Sequence, residues 1–164
     1  MLDAKIEPAL NDHLQHELAS AYLYLAMAAH FEAANLPGSA RWMRKQAGEE
    51  LAHAMKVFDY VVDRDGRVTL QAIAQPPAQF AGTEDVWQQA LANEQKVTGV
   101  IGALCGAAQK AGDHATAAML QWFVTEQVEE EKAVRAILEQ VQQIGQVSSA
   151  MFFLDRHLGK EAAK

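Results

Sequence analysis

The stretch "DRDGRVTLQAIAQPPAQFAGT", Asp63 to Thr83, decides the architecture. It carries Pro76, Pro77, Gly66 and Gly82 and has no helical apolar period, so it reads as a connection of about 18 residues, a length uncommon inside a compact domain. On either side, segments of about 26 to 32 residues rich in Ala, Leu, Glu, Gln and Met repeat with a period near 3.6. The other breaks are short. "NLPGS" (Asn35–Ser39) has a Pro-Gly turn with Ser39 as expected N-cap, and "KAGDH" (Lys110–His114) ends one helix at Gly112 and starts the next at Asp113. "GQVSS" (Gly145–Ser149) precedes a short apolar segment, and Thr83 closes the long connection, with Glu84 and Asp85 in the first turn that follows. The spacing predicts helices over 3–34, 39–64, 84–111 and 114–143 and a short fifth over 149–158. A connection that crosses the whole bundle makes the second and third helices parallel, and at ~3.3 Å per residue it spans the ~40 Å required. The expected fold is all-α: a single domain over 1–164, a four-helix bundle over about 3–143 with one long crossover between helices 2 and 3, and a short C-terminal helix.

Composition agrees with one soluble domain. Hydrophobic residues make up 50% of the 164 and charged residues 21%, which excludes a largely disordered chain. A net charge of −7 disfavours nucleic acid and anionic membranes as partners and favours cations. The single cysteine, Cys105, cannot form an internal disulfide and is expected in the core. With no leader-like start at "MLDAKIEPAL" and no long apolar run, the expected location is cytoplasmic.

Each predicted helix interrupts its own apolar stripe with acid or amide. The stripes run Ile6, Leu10, Leu14, Glu17, Ala21, Leu25; then Met43, Ala47, Glu50, Ala54, Val57, Val61, with His53 on the same face; then Leu91, Glu94, Val97, Ile101, Leu104, Ala108; then Met119, Phe123, Gln127, Glu130, Val134, Ile137, Val141. At 1.5 Å per residue, Glu17 lies ~21 Å above the foot of the bundle, Glu50 and Glu94 near ~30 Å, and His53 and Glu130 near ~25 Å. Side chains of 5–6 Å close those gaps, so the interruptions meet at one level. Uncompensated, four buried carboxylates are costly, and a pair of divalent cations neutralises them directly. Oxygen ligands with one imidazole suit iron or manganese, with zinc a competitor, and Glu50-x-x-His53 has the i, i+3 spacing of carboxylate-bridged di-iron bundles.

These residues carry a resemblance to the bacterial non-haem ferritins, over essentially the whole chain. It rests on "HELASAYLYL" around Glu17 and Tyr24, "GEELAHAMKVFDYV" around Glu49, Glu50 and His53, "ANEQKVT" around Glu94, and "LQWFVTEQVEEEK" around Gln127 and Glu130. Helix 4 offers Gln127-x-x-Glu130 where symmetric di-iron enzymes have a second Glu-x-x-His, and that departure also resembles ferritin. The resemblance implies oxidation of Fe(II) by dioxygen, or by hydrogen peroxide in its place, and storage of ferric oxyhydroxide in a hollow homo-oligomeric shell of about 24 subunits. It implies one iron on Glu17, Glu50 and His53, the other on Glu94 and Glu130 with Gln127 beside it, and Glu50 as the bridge. Glu49, Glu126 and Glu129 resemble an accessory third iron site. Tyr24 resembles the family's site tyrosine, a donor of an electron or a hydrogen bond, although a core tyrosine satisfied by a carboxylate explains it equally; Trp122 stands between a similar role and packing.

Haem is not expected. Leu51, not a methionine, directly follows the acid pair of helix 2, and Met55 comes a full turn later. All expected ligands fall within one bundle and the chain ends in "HLGKEAAK", which separates it from the DNA-binding mini-ferritins. Two other readings compete: a di-iron oxidase that stores nothing, and a non-catalytic helical bundle whose acids serve solubility. The fifth helix, "SAMFFLDRHL", with Met151, Phe152, Phe153, Leu154 and Leu158, is expected at an interface between subunits.

Overall fold

The computed structural model describes all residues except Met1, Ala4, Gln146 and Lys164, and of Ser148 only the backbone. Ala4, in the first predicted helix range, and Gln146, in the "GQVSS" break, therefore lie outside the described residues. Five helices follow in order: α1 (Ile6–Ala33), α2 (Pro37–Asp63), α3 (Thr83–Ala111), α4 (His114–Ile144) and α5 (Ser148–Glu161). Gly112, at φ 66°, closes α3 in the left-handed conformation that glycine adopts without strain. Asp113 caps α4, accepting from the Thr116 amide at 3.0 Å and the Thr116 hydroxyl at 2.7 Å.

Two apolar clusters fix the topology. The lower one joins Ile6, Leu10 and Leu14 of α1 to Val57 and Val61 of α2, Ile101 and Leu104 of α3, and Leu120 and Phe123 of α4. The upper one joins Met27 and Phe31 to Met43, Val86 and Trp87, Val134 and Ile137, with Leu154 and Leu158 of α5. Helices α1 and α4 thus run upward while α2 and α3 both run downward, and the crossover climbs the full bundle to connect them. Its route follows α1: Asn11 donates to the Arg67 carbonyl at 3.0 Å and accepts from the Thr69 amide at 2.7 Å, and Gln71 donates to Asp12 at 2.7 Å.

Four local expectations are corrected. Ser39 does not cap α2, which begins two residues earlier with Pro37 as its first helical residue, and Leu36 at the cap position supplies no side-chain bond. The cap comes from α5 instead. Asp155 accepts from the Gly38 amide at 3.0 Å, the Ser39 amide at 2.7 Å and the Ser39 hydroxyl at 2.8 Å, satisfying donors that the start of a helix leaves free. The approach is close: a Cβ on Gly38 would lie 1.8 Å from the Asp155 carbonyl oxygen, and one on Gly159 3.0 Å from the Gly38 Cα. Gly159 is therefore a contact inside α5, not its end, and the helix is longer than expected.

In α1 the stripe turns after Glu17. Steps of four residues to Ala21 and Leu25 drift around a helix of period 3.6, so the buried line passes through Ser20, Tyr24, Met27 and Phe31, and Leu25 is 50% exposed. Cys105 is half-buried against the lower cluster and not a full core member, and burial pushes its thiol up.

Because Asp155 accepts three of the hydrogen bonds that tie α5 to the start of α2, beside the one Arg41 donates to the Gly159 carbonyl at 3.3 Å, Asp155→Ala should cost about 1.5–3 kcal/mol of α5 docking. The expected readout is faster amide exchange in 148–161 and earlier tryptic cleavage at Arg156 and Lys160, with exchange in α1–α4 little changed. Uniform loosening of all five helices would show that the docking is not local.

Candidate metal centre

Between the two apolar clusters lies a layer with no apolar filling. Glu17 of α1, Glu50 and His53 of α2, Glu94 of α3, and Gln127 and Glu130 of α4 point into it, and all are buried. Each sits on the inner stripe of its helix, so the periodicity that builds the core also delivers these side chains to the axis.

His53 Nδ1 is the point on which three carboxylates converge, with Glu50 Oε2 at 3.5 Å, Glu130 Oε1 at 3.8 Å and Glu17 Oε2 at 3.9 Å. Potential ligand atoms fall into sets whose members lie within 4.8 Å of one another: Glu17, Glu50 and His53; Glu50, Glu94 and Glu130; and His53, Glu126 and Glu130. Glu50 belongs to the first two. Two ions placed in those two sets would share it.

Glu94 is held from outside the layer. Tyr24 donates through Oη to Glu94 Oε1, and the Gln127 amide reaches Glu94 Oε2 at 3.2 Å and the Glu94 carbonyl at 3.1 Å. Tyr24 is enclosed in the upper cluster, and burial followed by the Glu94 charge raises its phenol well above the usual range. Oxygens of Glu17, Glu50 and Glu130 have no hydrogen-bond partner at all. Buried groups left so are rare, and here they are concentrated in one layer. No lysine or arginine pairs with these buried carboxylates among the described residues.

The electrostatics follow from that arrangement. Burial first, then the neighbouring Glu50 charge, raises Glu94 to about 6, against which its hydrogen bonds from Tyr24, Gln127 and Asn93 pull. Burial and then Glu50, Glu94, Glu126 and Glu49 push Glu130 up to about 10, and burial with Glu50 beside it carries Glu17 well above the carboxylate range.

The chain matches the ferritin-like domain family over residues 7–144. The chain belongs to the ferritin-like family. Among relatives, it is 35% identical to the bacterial non-heme ferritin of Staphylococcus haemolyticus over 158 residues, covering 96% of this chain and 95% of that one. It is 33% identical over 159 residues to the corresponding protein of Staphylococcus aureus strain USA300, covering 97% and 96%. Among solved structures, an open pore ferritin from the hyperthermophilic archaeon Archaeoglobus fulgidus superposes with a TM-score of 0.96 at 42% identity, covering 97% of this chain and 98% of that one.

The remaining expected site residues of this ferritin-like chain lie at the layer's edge. Glu126 joins His53 and Glu130, whereas Glu49, paired with Lys45 at 3.8 Å, and the exposed Glu129 join no such set. Trp122 is 37% exposed, meets His53 edge-on at 5.2 Å, and carries the Lys56 ammonium 4.2 Å from its ring centroid. Leu51 and Met55 lie on the exposed face of α2. One buried group was not anticipated. His13 is wholly enclosed one turn before Glu17, with Nε2 3.3 Å from Glu17 Oε1. The spacing His13-x-x-x-Glu17 was its only sequence signal.

The raised carboxyls give a pH dependence with a definite sign. For Glu94 and Glu130 the stability contributed to the metal-free fold is complete below the ordinary carboxylate value and lost as pH rises through about 6 and about 10. His13, pushed down to about 4 chiefly by burial, acts oppositely: its contribution is lost as pH falls through that value. A divalent ion must displace the carboxyl protons. Co(II) added at pH 7 in weak buffer should therefore release about one to two protons per subunit, and the rise in Tm on Co(II) binding should be larger at pH 8 than at pH 6. Binding without proton release would show that the carboxyls are already ionised.

Proposed function

We propose that this chain oxidises Fe(II) with dioxygen at the buried layer and stores the ferric product inside a shell of about 24 subunits. Membership of the ferritin-like family supports iron storage. The observation that carries the oxidation chemistry is the shared position of Glu50 in two adjoining ligand sets. In this reading Glu17, Glu50 and His53 hold one Fe(II), Glu94 and Glu130 hold the other, and Glu50 bridges. Two ions so placed each give one electron, and dioxygen with two protons leaves at the oxidation level of hydrogen peroxide. Hard oxygen ligands favour Fe(III) over Fe(II), which supplies driving force. Tyr24 and Gln127 keep both oxygens of Glu94 aimed while the charge in the layer changes.

Glu49, Glu126 and Glu129 are proposed as the accessory site, a carboxylate set between the layer and the outer surface of α2 and α4. The start of α4 offers no unengaged acid to an entry route for iron. Asp113, the only acid in "DHATAAML", is occupied by the α4 cap and by Arg64, whose two terminal nitrogens lie 3.2 and 3.3 Å from its oxygens. No helix among the described residues is long and apolar enough to cross a membrane. The exposed Phe152 and Phe153 on α5 fit a contact between subunits of the shell.

The deciding experiment is anaerobic loading with Fe(II) followed by air. Rapid oxidation of about two irons per subunit is expected. His53→Ala and Glu17→Ala should each abolish that fast phase while keeping the fold, because the apolar clusters above and below the layer supply the packing. Oxidation no faster than in buffer by the unmodified protein would leave the non-catalytic bundle as the better account. Glu129→Ala should leave the first oxidation nearly intact and alter later turnovers. Light scattering should report a particle of about 24 subunits, and a monomer or simple dimer at micromolar concentration would remove storage while leaving the oxidation chemistry.

A further inference from the structure

A carboxylate that binds metal through one oxygen needs something to fix which oxygen faces the ion. For Glu94 that role is filled twice over, by Tyr24 on Oε1 and Gln127 on Oε2. Glu17 has no such bond: both its oxygens are enclosed without a partner. One imidazole stands beside it. His13 Nε2 lies 3.3 Å from Glu17 Oε1, while Glu17 Oε2, on the other side of the carboxylate, faces His53 Nδ1 at 3.9 Å.

His13 is anomalous as a core residue. It is wholly buried, and neither ring nitrogen has a hydrogen-bond partner. Burying an imidazole in this state costs free energy that an apolar side chain of similar shape would not incur. Its neighbours in the stripe, Leu10 and Leu14, are apolar, and Phe123 packs edge-on against it with ring centroids 4.9 Å apart. The same phenylalanine lies edge-on to His53 at 6.1 Å, so one ring adjoins both imidazoles. An imidazole always carries at least one N–H, whichever protonation state it adopts. At 3.3 Å a small rotation aligns that hydrogen with Glu17.

We propose that His13 is a positioning residue of the dinuclear centre: its Nε2–H donates to Glu17 Oε1 and turns Oε2 toward the ion shared with Glu50 and His53. This assignment rests on the metal-binding reading above. It makes His13 the counterpart for Glu17 of what Tyr24 is for Glu94.

The test is Co(II) binding to the metal-free protein, with His13→Leu and His13→Gln compared. Loss of a group that orients a ligand typically weakens metal binding about 10–100-fold, and that loss is expected for His13→Leu. Glutamine keeps an N–H of similar reach, so His13→Gln should bind Co(II) within about threefold of the unmodified protein. The Tm of metal-free His13→Leu should be equal to or above that of the unmodified protein, which a packing role for His13 would not allow. Unchanged Co(II) affinity in His13→Leu overturns the proposal, and so does equal weakening in both variants with a lowered metal-free Tm. If the unmodified protein itself takes up no Co(II), the metal-centre reading falls and the assignment falls with it.

Discussion

Carboxylates enclosed between two apolar clusters, with no lysine or arginine paired to them among the described residues, are the constraint around which this molecule is arranged. Burial and the neighbouring carboxylates raise the proton affinity of Glu17, Glu94 and Glu130. The fold tolerates the layer because the clusters above and below supply the packing. Trp87, Phe31 and Met43 close it from one side, and Leu14, Val57 and Phe123 from the other. Four helices held at both ends can keep an unfavourable middle in register.

The same logic governs the helix ends. The start of α2 offers free amides at Gly38 and Ser39 that no local side chain satisfies, and α5 answers with Asp155. A helix of 14 residues is marginal alone. Leu154 and Leu158, buried in the upper cluster, and the Asp155 bonds fix it in place, which leaves Phe152 and Phe153 facing outward on a rigid support. An apolar surface on an ordered helix can form a specific interface; on a loose tail it would invite aggregation.

Much of this was legible in the sequence because helix periodicity and the bundle axis are geometrically linked. The length of the 63–83 connection implied parallel α2 and α3, and the interrupted stripes placed Glu17, Glu50, His53, Glu94, Gln127 and Glu130 at one depth. What was missed depended on contacts between segments far apart in the chain. Ser39 has the composition of an N-cap, and only the approach of Asp155, 116 residues away, shows that it belongs to a contact with α5. Leu25 was misplaced because four-residue steps do not follow a period of 3.6 for long. His13 escaped notice because a histidine beside Leu14 reads as an ordinary core residue until the orphaned oxygens of Glu17 are seen next to it.

The layer is also unequal from one side to the other. The Glu17 set includes an imidazole, whereas the Glu50, Glu94 and Glu130 set is oxygen only, because α4 presents Gln127 where a second histidine would make the halves alike. Gln127 is already engaged with Glu94 and contributes no charge. On the proposed reading, the two ions are therefore held with different ligand fields. The oxygen-only position adjoins Glu130, which also reaches Glu126 and the edge of the bundle. Glu126 lies within reach of both Glu130 and His53, so the edge of the layer adjoins both positions, and Phe123 and Trp122 flank the imidazole.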